Sequence, residues 1–109
     1  MIVSGYKAMW VIVLFDLPTE TKEAKREYAH FRKTLIKDGF VMLQYSVYAR
    51  PCASDENAFV HADRTRKHLP PEGQVRILQL TDKQYGRMQV FWGKSRTASE
   101  KMPAQLEFF

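Results

Sequence analysis

The sequence predicts an α+β sandwich, a mainly antiparallel sheet with two helices on one face. Three observations carry it. The continuous apolar run "MWVIVLFD", residues 9–16, is rich in β-branched and aromatic side chains, as in a central strand buried on both faces. Two stretches bounded by helix start and stop signals, one after Pro18 and one after Ser54, alternate with further extended segments. At 109 residues and 45% hydrophobic, the chain has material for one compact domain with a small core.

The elements follow in order. Residues 1–8 read as a short N-terminal extension ahead of Met9, itself an alternative start. Pro18 prevents further sheet pairing, and Thr19 is the expected N-cap. Lys22 stands three residues on, so there is no capping box. The first helix runs to about Asp38, where Gly39 stops it. "FVMLQYSVYAR", residues 40–50, lacks turn residues. It reads as one long bent strand, or as two short ones broken near Gln44, and Pro51 ends it. Ser54 caps a second helix that runs to about Leu69, ahead of Pro70 and Pro71. Residues 73–81 and 87–93 make a third and a fourth strand. Residues 94–104 form a polar loop, and "LEFF" closes the chain. This succession is a ferredoxin-like βαββαβ domain over residues 1–93, with a linker and C-terminal strand over 94–109. Two helices cover only one face of the sheet. Phe91, Trp92, Phe108 and Phe109 are many aromatics for the other, which favours a homodimer.

The formal net charge of +5 points to a polyanionic partner, nucleic acid or an anionic membrane surface. The single cysteine, Cys52, excludes an internal disulfide and a thiolate zinc site, and fits a reduced cytoplasmic compartment. No run approaches the ~18 apolar residues of a membrane span.

The first helix sorts its charges. With Lys22 at zero and 100° per residue, Ala24, Tyr28, Phe31 and Leu35 fall between about 180° and 240°, a coherent core face. Lys22, Arg26, His30, Lys33 and Lys37 fall between about 0° and 80°, while Glu23, Glu27 and Asp38 gather on one flank. A basic stripe about 22 Å long, at 1.5 Å per residue, can follow a phosphate backbone. The plainer reading is a solvated face with i,i+4 salt bridges. On the second helix, Phe59, Ala62 and Leu69 read as the core face, with Arg64, Lys67 and His68 outward.

Asp16 ends the most hydrophobic strand. One reading makes it a structural acceptor for backbone amides or a helix cap. The other makes it a ligand for a hard cation. One carboxylate is too little for Mg²⁺, which needs several oxygens. A two-fold axis would supply a second Asp16, and a shared ion would activate water for phosphodiester attack. The remaining candidates are weaker. His30, His61 and His68 lack metal-ligand spacing, and Ser46 has no visible base. Tyr45 and Tyr48 are residues that commonly pack in a sheet. Arg50, at a strand end, either touches phosphate or is solvated.

The strand ending in Phe15-Asp16-Leu17-Pro18, the helix just after it, "FRKTLIKDGF" at residues 31–40 and "QYSVYAR" at 44–50 carry a resemblance. Together they look like the CRISPR-associated protein two family, the small subunit of spacer acquisition, nearest the variety of type II systems. The similarity runs from Trp10 to about Trp92. The resemblance implies a symmetric homodimer whose C-terminal strand, with Leu106, Phe108 and Phe109, pairs with the partner's sheet. It implies a Mg²⁺- or Mn²⁺-dependent nuclease site at Asp16. It also implies a bridge between dimers of the integrase, CRISPR-associated protein one, that holds prespacer duplex DNA, with RNA as a further ligand. The duplex would lie along Lys22, Arg26, Lys33, Lys37 and Arg50. Two other readings compete. One is a stand-alone ribonuclease toxin similar to the virulence-associated protein D group. The other is a ferredoxin-like module for a small ligand, against which the five unpaired glycines count.

Overall fold

The computed structural model describes residues 8–104. The elements are β1 (Met9–Asp16), α1 (Lys22–Lys37), β2 (Val41–Gln44), β3 (Val47–Cys52), α2 (Asp55–Arg66), β4 (Gln74–Thr81), α3 (Asp82–Tyr85), β5 (Val90–Trp92) and β6 (Ser95–Thr97). The first four strands form one antiparallel sheet in the order β2-β3-β1-β4, the ferredoxin-like arrangement that the pattern predicts. The expectations at Leu106, Phe108 and Phe109 lie outside the described residues.

β1 is central, and its alternation builds two cores. Val11, Val13 and Phe15 face the helices and pack with Phe31, Leu35, Tyr48, Cys52, Ala58 and Ala62. Trp10 and Ile12 face the other way and pack with Ala49 and Tyr85. That explains why the run is apolar without a break.

Several boundaries differ from the sequence reading. The N-cap of α1 is Thr21 rather than Thr19, with its hydroxyl accepting from the Ala24 amide at 3.0 Å. Residues 40–50 take the second of their two readings, two strands broken after Gln44 and joined by the two-residue turn Tyr45-Ser46. Ser46 takes φ 65, a conformation usually left to glycine or asparagine. β3 runs through Pro51 to Cys52. β2 pairs with it only as far as Ala49, so Pro51 meets an unpaired edge, where a missing N–H is tolerated. α2 ends at Arg66 and buries Ala58, His61, Ala62 and Thr65, at i, i+3, i+4 and i+7. Phe59 and Leu69, expected in the core, are exposed instead. Small residues let α2 lie close, and its two buried polar groups find partners: Thr65 donates to the His61 carbonyl and His61 bonds Asp38.

The second face of the sheet is not bare. Thr81 and Gln84 form a capping box that starts α3. Tyr85 is buried and stacks on Trp10, ring centroids 4.1 Å apart, while the Trp10 indole donates to Asp82 at 2.8 Å. The returning chain adds Met102 to this cluster, and the Tyr85 hydroxyl donates to Glu100 at 2.6 Å. This cover lies over the Trp10 end. Towards Asp16 no described residue covers the face in this way, and Leu78 is 47% exposed. Phe91 and Trp92 are not on that face. They sit exposed on a hairpin turned at Gly93, in which β5 falls within the expected fourth strand but pairs with β6, inside the expected loop, and not with the main sheet.

Candidate active site and nucleic-acid surface

Asp16 is exposed, and strand alternation places it on the same face as Leu14 and Ile12. Backbone from both neighbours fixes its position. The Phe15 amide donates to the Ser46 carbonyl at 3.0 Å, and Gln74 stands opposite Asp16 on β4. Gly73 begins that approach at φ +95. A Cβ there would lie 2.7 Å from the Asp16 carbonyl and 2.7 Å from Leu17 Cδ2, so only glycine lets β4 start this close. Among the described residues the Asp16 carboxylate has no hydrogen-bond or ion-pair partner, and Thr21 caps α1 in its stead.

The donor set within one protomer does not fit a metal ion. No group of three or more His, Cys, Asp or Glu residues able to hold one occurs among the described residues. A lone exposed carboxylate is a weak ligand for a hard cation, so a single chain offers no complete metal site. A cavity of about 460 Å³ adjoins the strand end, but Glu23, Glu27 and Glu72 line it against a single cation, Arg26, which disfavours phosphate.

The basic stripe forms as expected. Lys22, Arg26, His30, Lys33 and Lys37 are all exposed on α1, and none makes an ion pair among the described residues. The cations of α2 are differently placed. Arg66 and Lys67 both pair with Asp63, and Arg64 pairs with Asp38 at 2.9 Å. Hydrogen bonds from Lys67 and Arg66 hold the Asp63 carboxyl below its usual range. Of the two long helices, α1 is therefore the one whose cations are left without an ion pair among the described residues.

Arg50 serves the fold. From the helix face of β3, its Nε donates to the Asp38 carbonyl at 2.7 Å and its Nη1 to the Pro51 carbonyl at 2.9 Å, which ties down the C-terminus of α1. Asp38 is the hub. Its carboxylate bonds His61 Nδ1 at 2.8 Å and Arg64 at 2.9 Å. Burial is the main cause that pushes the His61 imidazole below its ordinary pKa, with Asp38 opposing. His30 is exposed on the stripe, and His68 Nδ1 bonds the Arg64 carbonyl at 2.7 Å.

Two features were not foreseen. Arg32 Nε donates to the Tyr48 hydroxyl at 2.7 Å, joining α1 to the buried Tyr48. Tyr45 does not pack in the sheet but stands 76% exposed at the turn. The position of Arg32, at about 280° on the helical wheel, lies between the core face and the stripe and was a usable signal.

Fold and site define a class: a small ferredoxin-like protein with a rigid strand-end carboxylate and a cationic helix beside it. Comparison with known proteins gives the family. The profile described as "CRISPR associated protein Cas2" matches residues 9–88. A "CRISPR-associated endoribonuclease Cas2" of Parvibaculum lavamentivorans is 54% identical over 101 residues, 93% of this chain and 100% of the relative. One from Flavobacterium psychrophilum is 48% identical, covering 95% of this chain and 90% of its own. One from Paracidovorax avenae is 42% identical, covering 97% and 98%. The chain belongs to the Cas2 family of CRISPR-associated proteins. The matched relatives bear the name of endoribonucleases, enzymes that hydrolyse phosphodiester bonds. No helix among the described residues is long and apolar enough to cross a membrane.

Proposed function

We propose that the chain acts as a homodimer in CRISPR spacer acquisition, holding duplex DNA along α1 and bridging dimers of the integrase, with a phosphodiesterase site where two Asp16 residues meet. The observation that carries this reading is the position of Asp16: exposed, rigidly held, and on a stretch of sheet face that the described residues leave open. Pairing of two such faces would bury Leu14 and Leu78 and bring the carboxylates together on the two-fold axis. Two carboxylates, waters and phosphate oxygens would then complete a site for Mg²⁺ or Mn²⁺. The ion, when bound, supplies an activated water and charge neutralisation at the phosphate. The chain's own part is to fix the two carboxylates and to hold the phosphates on Lys22, Arg26, Lys33 and Lys37. Arg50, already bonded to two carbonyls, takes a lesser share. RNA, the substrate class in the names of the relatives, is the proposed substrate of the Asp16 site. Leu106, Phe108 and Phe109 are the proposed further contributors to the dimer, and the cytoplasm is the proposed compartment.

Two variants test the reading. Asp16→Asn should abolish Mg²⁺- or Mn²⁺-dependent cleavage of RNA while leaving the oligomeric state and duplex binding intact. Reversing Lys33 and Lys37 to Glu should weaken duplex binding and reduce the salt slope of log K by about 2, near 0.9 for each phosphate no longer neutralised. Cleavage by Asp16→Asn at the parent rate would remove Asp16 from the chemistry. An unchanged salt slope would return the stripe to the role of a solvated face.

A further inference from the structure

The turn between β2 and β3 is built to present an aromatic ring. Tyr45 is 76% exposed, yet it is not loose: it stacks on Tyr28, ring centroids 5.8 Å apart and planes 22° from parallel. Tyr28 is itself anchored. Its ring meets the buried Phe15 edge-on at 5.7 Å, and its hydroxyl bonds the Ser46 hydroxyl at 3.1 Å. Ser46 holds a left-handed φ of 65, which a serine adopts only at some cost. Glycine would relieve that strain, but would lose the hydroxyl that fixes Tyr28. The Ser46 carbonyl in turn takes the Phe15 amide, one residue before Asp16. The result is a two-ring stack with a free outer face, fixed to the same strand end as Asp16.

Two cations of α1 flank Tyr28. Lys25 and Arg32 lie at about 300° and 280° on the helical wheel, next to Tyr28 at about 240° and apart from the main stripe. Both are exposed, and Arg32 is steered towards this flank by its bond to the Tyr48 hydroxyl.

We propose that Tyr45, backed by Tyr28, is a stacking platform for one unpaired nucleobase, with Lys25 and Arg32 taking the adjoining phosphates. An exposed, immobilised ring flanked by cations is the combination that captures single-stranded nucleic acid, because every base has a stackable face whatever its sequence. A base within a duplex is already stacked and cannot use the platform. The inference rests on the nucleic-acid reading above and adds a substrate class to it: strands with unpaired bases near the Asp16 site.

The test uses the full chain and two probes of one sequence, a single-stranded oligodeoxynucleotide carrying 2-aminopurine and the corresponding blunt duplex. Anisotropy reads affinity, and 2-aminopurine quenching reads stacking. Tyr45→Ala should weaken single-strand binding by about 5- to 150-fold, the range for one lost base–aromatic stack, and abolish the quenching. Duplex affinity should change by less than about 2-fold, and Tyr45→Trp should restore both signals. Single-strand affinity and quenching unchanged in Tyr45→Ala would overturn the platform. So would an equal loss on both probes, because that pattern means a general surface contact. If the parent chain binds the duplex and not the single strand, the platform falls and the duplex reading stands. If it binds neither, both fall together.

Discussion

Replacing Asp38 by Asn would probe the hub between α1, β3 and α2. His61 is 4% exposed, and Asp38 Oδ2 is the partner of its Nδ1 at 2.8 Å. A hydrogen bond to a charged group is worth about 1.5–3 kcal/mol. Asn keeps one carbonyl oxygen, enough for one of the two donors, so roughly half of this is retained. The Arg64 bond adds little, because that side chain is 57% exposed and its pairing is worth at most about 1 kcal/mol. The expected loss at pH 8 is therefore about 1–2 kcal/mol, or a fall in Tm of about 4–16 °C for a domain of this size. The loss should also depend on pH. Burial holds the folded-state pKa of His61 below its unfolded value, with Arg50 and Arg64 adding to the effect and Asp38 opposing it. The unfolded chain then binds more protons in mildly acid solution, so stability rises with pH through this window. In the parent, the contribution is full above the usual histidine pKa of about 6.5 and is lost as pH falls through the folded value. Removing the carboxylate lowers the folded pKa further and extends the loss to lower pH. Parent and variant should diverge as pH falls through the parent's folded value, below the ordinary histidine range. Urea denaturation followed by far-UV circular dichroism, at fixed protein concentration to hold any association constant, measures both quantities. Equal midpoints at pH 8 and parallel pH profiles would show that the Asp38–His61 bond does not support the fold.

Other outcomes follow from individual side chains. Gly73→Ala should cost more than about 2 kcal/mol, because the new Cβ meets backbone at 2.7 Å at a positive φ. It should also reduce cleavage by shifting Asp16; parent-like thermal stability would contradict the close approach. Tyr85→Ala should cost about 3–5 kcal/mol in chemical denaturation, the range for deleting a buried aromatic ring, since it empties the stack on Trp10 and frees α3. A loss under about 1 kcal/mol would mean that α3 does not dock. Cys52 is buried and its thiol is pushed up by that burial, so Ellman's reagent should react with the native chain at least about tenfold more slowly than with the urea-unfolded one. Immediate full reaction would place the thiol at the surface.

What could be read in advance followed from local chemistry. An unbroken run such as residues 9–16 suits a strand buried on both sides, and Ser54 and Gly39 mark helix ends by mechanisms that act over one turn. Asp16 stands out because a carboxylate after the seven apolar residues 9–15 breaks the pattern. The capping box Thr81-x-x-Gln84 is equally local and marks α3, but a helix of four residues is too short to show a hydrophobic period of its own. Other features depend on groups distant in sequence. Nothing around Phe59 reveals that α2 turns His61 inward, because the acceptor, Asp38, lies 23 residues earlier. Pro51 stops strands in general, and it is tolerated here only because β2 is short. Tyr45 and Tyr48 are alike in sequence context. The turn between β2 and β3 leaves one exposed and buries the other.

The centrality of β1 has a consequence for synthesis. β1 is made before the other described strands, yet its partner β4 comes last in the sheet: Asp16 pairs with Gln74 and Met9 with Thr81, separations of 58 and 72 residues. At translation rates of about 5–20 residues per second, β1 waits roughly 3–14 s for that edge to be filled. Through this interval the ribosome displays "WVIVLF", an uncharged, β-prone hexamer of the kind that nucleates intermolecular aggregates. Asp16 and Pro18 then act as gatekeepers, a charge and a missing donor set at the segment's exit. The carboxylate proposed for chemistry in the finished protein would thus already protect the nascent chain, and a neutral substitute that folds well from denaturant could still lower the soluble yield in the cell.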